Sequence, residues 1–180
     1  MRCFITIVGL AVAAAVIGFG VMYSGIINVG ASNPHAAPTQ WLLHTAMQRS
    51  VAFHARDIQA PPLDKPEMVM MGFRHYREMC VGCHLAPGIE SSEIRQGLMP
   101  QPPKLQEVAK HWAPAELFWI IKNGVKMTAM PAWGTTHSDE KIWSMVAFLQ
   151  KLPEMTPAQY QEMDLQAGPG EGDEDEAHSH

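Results

Sequence analysis

The chain has 180 residues, 47% of them hydrophobic, and a formal net charge of −5. This length accommodates one domain together with additional segments. Five acidic residues between Glu171 and Glu176 account for the net charge, and the rest of the chain balances at 13 basic and 13 acidic residues. Because the sequence contains no basic stripe, we expect no nucleic-acid partner.

An apolar run near the N-terminus, from Phe4 to Met22, contains no charged residue. With the residues as far as Ile27 it reaches the roughly 20 residues that a helix needs to cross a bilayer. Arg2 precedes the run, and no further Lys or Arg follows before Arg49. The positive-inside rule therefore predicts a cytoplasmic N-terminus and an exported remainder.

The same run could instead be a cleaved signal peptide, with Val29-Gly30-Ala31 as a small-residue cleavage site. Its apolar length exceeds the roughly 7–15 residues of a signal-peptide core, which favours retention. We therefore expect residues 1–31 to form a single transmembrane anchor, or an uncleaved signal, in the inner membrane. The rest of the chain is then on the periplasmic side.

The exported part is predicted to be mainly α-helical, because no segment shows convincing alternation of apolar and polar residues. Periodicity and capping residues predict helices at Trp41–Ile58, Pro66–Met79, Ala115–Lys122 and Ser138–Gln150. The predicted division is a linker with a juxtamembrane helix at 32–65, a helical domain at 66–153, and a C-terminal extension with a disordered acidic tail at 154–180.

The most specific motif is Cys80-Val81-Gly82-Cys83-His84, the C-x-x-C-H signature of c-type haem attachment. One helical turn can bring both thiols onto the porphyrin vinyl groups and place His84 under the iron. A structural zinc site would usually need a second Cys or His pair, and a thioredoxin-like pair would be expected near a βαβ pattern. Neither is found, so we predict one covalent haem c, bound by Cys80, Cys83 and His84.

A haem that only carries electrons also needs a second axial ligand, and a Met thioether opposite His raises the reduction potential. Met130 lies in an irregular segment, where Pro131 fixes the backbone beside it and Trp133 can pack against the porphyrin edge. Met127 lies in the same loop and is not excluded by spacing. The other methionines mostly fall at core periodicity, where Met fills gaps.

The motif at Cys80 to His84, followed 46 residues later by Met130-Pro131-Ala132-Trp133, resembles class I cytochrome c. Tyr76 before the motif and the helix containing Trp143 are similar to that family's crossing terminal helices. The resemblance covers about residues 66–152 and implies a class I cytochrome c fold, with helices wrapped around one covalent haem.

The resemblance also implies the rest of the ligand set. Met130 matches the family's sixth iron ligand, with Met127, His111 or His137 as the alternatives. Pro103, in Pro103-x-Leu105, resembles the residue whose carbonyl accepts the Nδ1–H of the proximal histidine and so orients it. The implied metal ligands are therefore His84 and Met130, and the implied haem-binding residues also include Cys80, Cys83 and Pro103.

The function implied by this resemblance is single-electron transfer by a membrane-tethered monohaem cytochrome, which is not itself an enzyme. Its expected partners are a dehydrogenase, an oxidase or another cytochrome. Residues 123–131 are similar to the loop in cytochrome subunits of membrane-bound dehydrogenases and oxidases, so the alternative is a dedicated electron-accepting subunit. A haem-based sensor is a third possibility, which a firm Met130 ligand argues against.

Six basic residues lie in segments expected to surround the haem. They form either a docking face for an acidic partner or a scatter of solvating charges. They are Arg74, Arg77, Lys104, Lys110, Lys122 and Lys126.

Overall fold

The computed structural model of the protein describes residues 1–169. The acidic run that was predicted to form a disordered tail lies outside the described residues. The chain divides into two compact units, Met1–Pro34 and the segment from His35 onward.

The first unit contains α1 (Arg2–Tyr23), a helix of 22 residues whose side chains are all exposed. At a rise of about 1.5 Å per residue, α1 is about 33 Å long. The hydrocarbon core of a bilayer is about 30 Å thick. This helix is therefore long and apolar enough to span a membrane, as expected for an anchor.

The second unit is helical, and among residues 1–169 the only β-type pairing is an isolated bridge between Ala86 and Ile89. Its α-helices are α2 (Ala37–Ala55), α3 (Pro66–Met79), α4 (Val81–His84), α5 (Glu93–Gly97), α6 (Leu105–Val108), α7 (Pro114–Asn123), α8 (Asp139–Leu149) and α9 (Pro157–Ala167). Short 3-10 helices lie at Ala109–His111, Trp133–Thr135 and Leu152–Glu154. The prediction of a mainly α protein is confirmed.

Helices α3 and α8 cross at the centre of the core, and Gly72 makes their close approach possible. A Cβ atom at Gly72 would lie 1.8 Å from the carbonyl oxygen of Ser144 in α8. Beside this contact, the Phe148 ring packs against Phe73 and Tyr76, with centroid distances of 5.4 and 5.1 Å. These three aromatic side chains are fully buried, so the crossing is the main packing contact that supports the segment after α3.

The predicted bounds of α3 are correct, and its buried face is correct in part. The apolar stripe was predicted at Met68, Met71, Tyr76 and Met79. Tyr76 is buried as predicted, but Met71 is 39% exposed, and Gly72 and Phe73 are buried instead. Only a residue without a side chain allows the two helix backbones to touch. The face of α3 that carries Gly72 is therefore the face that is buried against α8.

Helix α2 begins and ends earlier than the predicted 41–58, at Ala37 and Ala55. Pro38 lies in its first turn, where the missing N–H costs no hydrogen bond. The helix packs against α7, burying Val51, and the His54 ring stacks on Trp119 with a centroid distance of 5.4 Å. The juxtamembrane helix is thus part of the same compact unit as the helical domain.

Helix α9 was not predicted, because residues from 154 onward were assigned to an extension. A reciprocal capping box starts it: Thr156 Oγ1 accepts the Gln159 N–H, and Gln159 Oε1 accepts the Thr156 N–H. On its inner face, the Tyr160 ring contacts Phe73 of α3 at a centroid distance of 5.1 Å. The extension therefore completes the core around α3.

Candidate haem site

The attachment motif forms a single turn at the end of α3. Cys80 follows the last residue of α3, and its carbonyl accepts hydrogen bonds from the backbone N–H groups of Cys83 (3.1 Å) and His84 (2.8 Å). Both thiols are free and partly buried. Burial, with a smaller contribution from Cys83, raises the pKa of Cys80 to about 12. The site thus favours an uncharged sulfur, as in a thiol or a thioether.

The chain turns sharply after His84, at a residue in the left-handed region. Leu85 has a φ of 62° and is 2% exposed. Such a backbone conformation costs a residue with a side chain roughly 1–3 kcal/mol. The Tyr76 hydroxyl donates a hydrogen bond of 2.5 Å to the Leu85 carbonyl and so holds the turn. Sequence reasoning did not find this role for Tyr76.

The imidazole of His84 is oriented by Pro103, whose carbonyl oxygen lies 2.8 Å from Nδ1. When Nδ1 carries the proton and donates it to this carbonyl, the Nε2 lone pair remains available for a metal. Burial lowers the pKa of His84, and the bond to Pro103 opposes this effect in part. The geometry supports the orienting role predicted for Pro103, and the assignment of His84 as an iron ligand stays a prediction.

The segment before Pro103 is held in place by local hydrogen bonds. It contains α5, whose N-cap Ser92 accepts a hydrogen bond from the Arg95 N–H. The Arg95 side chain in turn donates from Nε to the Pro102 carbonyl, at 3.1 Å. Arg95 therefore fixes the backbone segment that carries the Pro103 carbonyl. No local motif in the sequence indicates this role.

The loop at residues 125–132, which we call the Met130 loop, packs against the end of α7. Gly124 ends this helix with a φ of 65°, and a Cβ atom there would lie 2.7 Å from both the Met130 carbonyl oxygen and the Pro131 carbonyl carbon. The Val125 N–H donates to the Met130 carbonyl at 3.2 Å, and the Met130 N–H donates to Thr128 Oγ1 at 3.1 Å. These bonds hold the backbone at Met130 from both of its sides.

Comparison with known proteins identifies the central part of the chain. Residues 67–149 match the family described as cytochrome C oxidase, cbb3-type, subunit III. The match runs from α3 to α8 and so includes the attachment turn, Pro103 and the Met130 loop. Residues 67–149 form a class I c-type cytochrome domain. No curated protein matches the chain.

Within this cytochrome domain, the structure distinguishes the candidate sixth ligands. Met127 has a φ of 60° and is 89% exposed, whereas Met130 is partly buried and packs against the core. His111 is exposed, and His137 Nδ1 lies 2.9 Å from Thr136 Oγ1. These positions favour Met130, whose ligand role stays a prediction.

The donor set of the cytochrome domain fits haem better than a protein-bound zinc ion. Among residues 1–169, no three His, Cys, Asp or Glu side chains are grouped so that they could hold a metal ion. A structural zinc site usually takes four such ligands. Two neighbouring thiols, an imidazole with its Nδ1 already engaged and a partly buried thioether instead suit a covalently attached haem.

Three of the six basic residues expected around the haem are engaged in ion pairs within the second unit. The pairs and their N···O distances are Arg77–Asp164 at 3.0 Å, Lys104–Glu90 at 3.3 Å and Lys122–Asp139 at 2.6 Å. Half of the hypothesised docking face is therefore neutralised locally. This favours the alternative that these charges solvate the domain.

Proposed function

We propose that this protein is a membrane-anchored cytochrome with one covalent haem c, which transfers single electrons between redox proteins on the periplasmic side of the inner membrane. The observation that carries the proposal is the His84 imidazole, oriented through Pro103 in the turn that also presents Cys80 and Cys83. When bound, the haem iron supplies the one-electron redox change. The chain holds the attachment turn and the Met130 loop in place, which suits a carrier whose ligands barely move.

The first test of the proposal is covalent attachment of one haem. The purified protein should keep its haem through acid–acetone extraction, and the pyridine haemochrome spectrum should give one haem per chain. A Cys80→Ala/Cys83→Ala double variant should lose the covalently bound haem. Free extraction of haem from the unaltered protein would contradict the assignment.

The second test concerns the sixth ligand. Met130→Ala should abolish the weak far-red absorption band that a thioether gives to ferric haem, and it should lower the reduction potential, because Met ligation raises it. Met127→Ala is the matched control and should leave both unchanged, since the Met127 side chain is 89% exposed. Loss of the band in Met127→Ala alone would reverse the assignment. Rapid binding of carbon monoxide by the unaltered ferrous protein would favour a sensor.

A second candidate function is supported by the family match. The match to a subunit of a cbb3-type oxidase suggests a dedicated subunit of an oxidase or dehydrogenase complex rather than a free carrier. Purification in mild detergent, followed by native electrophoresis with haem staining, separates the two. A stable high-mass complex supports the subunit, and a monomeric haem band supports the free carrier.

Membrane retention is tested on the mature protein. Mass spectrometry should find an N-terminus at or near Met1 and the haem protein in the membrane fraction, because α1 is long and apolar enough to span. A mature start near Ser32, with the protein in the soluble periplasmic fraction, would show that α1 is a cleaved signal.

A further inference from the structure

Helix α2 lies outside the segment that matches the cytochrome family, and it has two different faces. One face, at Val51 and Ala55, is buried. Positions spaced four, three, four and three residues apart form the opposite face, which we call the outer stripe. The outer stripe consists of Leu42, Ala46, Arg49, Phe53 and Arg56, all exposed.

The outer stripe exposes large apolar side chains next to cationic ones. Leu42 is 60% exposed and Phe53 is 57% exposed. Trp41, in the first turns of α2 but not on the stripe, is 69% exposed. The Arg56 guanidinium lies over the Phe53 ring, 4.2 Å from its centroid, and its Nε also pairs with Asp57 at 3.1 Å. Exposing a cluster of this composition to water is unfavourable. It is suited to the interface of a bilayer, where apolar acyl chains lie below anionic headgroups.

The charge pattern of the chain also favours contact between the outer stripe and an anionic membrane surface. The first acidic residue of the sequence is Asp57, so neither α2 nor the segment before it contains a carboxylate. The segment of 13 residues at 24–36 that connects α1 to α2 contains no Lys or Arg either. Fully extended, it reaches at most about 45 Å. Along the chain, α2 is therefore the first helix of the second unit after α1, and this short linker joins them.

We propose that the outer stripe of α2 lies on the surface of the membrane that α1 spans, with Leu42 and Phe53 in the headgroup region and Arg49 near anionic phospholipid. This inference rests on the anchoring role proposed for α1. The buried face of α2 packs against α7, and α7 ends at Gly124, where the Met130 loop closes. The proposed lipid contact therefore lies on the same compact unit as the loop that carries Met130.

The test uses the full chain with its haem, in nanodiscs of phosphatidylcholine and phosphatidylglycerol. Cys3 is replaced by serine, and single cysteines at Leu42→Cys or Phe53→Cys carry a nitroxide spin label. Val12→Cys in α1 is the control for insertion, and Lys110→Cys is the control for an exposed site on the cytochrome unit. Collisional relaxation by oxygen and by a water-soluble nickel complex reports whether each label lies in lipid or in water.

We expect labels at Leu42, Phe53 and Val12 to be relaxed more by oxygen than by nickel, and the label at Lys110 to show the reverse. Arg49→Glu should increase the nickel accessibility at Leu42. Lipid exposure at Val12 with full nickel accessibility at Leu42 and Phe53 would overturn the inference and leave the anchor intact. Nickel accessibility at Val12 would overturn the anchor itself. Protection of the stripe only after other membrane proteins are added would assign it to a protein partner and overturn the lipid contact.

Discussion

Gly72 is the position at which the smallest substitution should have the largest effect on the fold. A methyl group at Gly72 would lie 1.8 Å from the Ser144 carbonyl oxygen, 2.5 Å from its carbonyl carbon and 3.0 Å from the Met145 nitrogen. These are backbone atoms, so no rotamer change relieves the overlap. An ordinary carbon–oxygen contact of about 3.3 Å requires α3 and α8 to move apart by about 1.5 Å.

The cost of this movement follows from the packing at the crossing. A gap of about 0.5–1 Å already removes a quarter to a half of the dispersion energy of a contact. The buried aromatic side chains Phe73, Tyr76 and Phe148 all lie beside this crossing. Overpacking typically costs about 1–3 kcal/mol, and we place Gly72→Ala at about 3 kcal/mol, because backbone must move. At about 3 °C per kcal/mol, the melting temperature should fall by about 10 °C.

The assay is thermal unfolding of the detergent-solubilised protein, followed by far-ultraviolet circular dichroism and by the Soret band. Gly97→Ala is the matched control, because a Cβ atom at Gly97, in α5, has no neighbour within 4 Å. Alanine is favoured over glycine in a helix by about 1 kcal/mol, so the control should melt at the same temperature or slightly higher. A Gly72→Ala variant that melts within about 2 °C of the unaltered protein would show that the two helix backbones do not meet at this residue.

Two other substitutions test the loop and the C-terminal helix. Gly124→Ala should displace the Met130 backbone and weaken the far-red band of the ferric protein, whereas Gly168→Ala, also at positive φ but without a neighbour within 4 Å, should leave the band unchanged. The Tyr160 hydroxyl is buried without a hydrogen-bond partner in the described part of the chain, so Tyr160→Phe should raise the free energy of unfolding by about 1 kcal/mol, measured in urea at neutral pH. Burial raises the pKa of Tyr160 to about 12. The folded state therefore holds this proton more tightly than the unfolded chain, whose tyrosine titrates near pH 10. Ionisation of Tyr160 therefore does not affect the free energy of unfolding below about pH 10 and lowers it as the pH rises from about 10 towards about 12, so Tyr160→Phe should make alkaline unfolding less steep.

Elements with local start signals could be predicted from the sequence. Pro66 suits the first position of a helix, and α3 begins there. Ser138 was predicted to cap the last core helix, and its Oγ accepts the Lys141 N–H at 3.4 Å before α8 begins at Asp139. These signals act over three or four residues, so they can be recognised in the sequence without knowledge of the tertiary structure.

Features that depend on distant residues were missed. The buried face of α3 is decided by contact with Ser144, and its methionines gave no indication of this. Helix α9 carried a readable capping box at Thr156 and Gln159, but the acidic run beyond it suggested an unstructured extension. The ion pair between Arg77 and Asp164 joins residues 87 positions apart, and no pattern in the sequence predicts it.

The candidate site shows the same division. The attachment motif is local, because covalent chemistry requires two thiols and an imidazole within one turn. The contact between His84 and Pro103 spans 19 positions and was predicted only through the resemblance to a known family. The bond from Arg95 to the Pro102 carbonyl and the left-handed conformation of Leu85 arise from the packing of this chain, and no motif contains them.

The C-terminal half of α3 links the candidate haem site to the part of the chain that the family match does not cover. Phe73 contacts Tyr160, and Arg77 donates to Asp164 at 3.0 Å and to the Gly168 carbonyl at 2.8 Å. Tyr76, between them on the same helix, holds the turn at Leu85 through its hydroxyl. Because the attachment turn begins at the next residue after α3, movement of α9 would be transmitted to it through the last two turns of this helix. The C-terminal helix is therefore part of the scaffold that positions the two thiols.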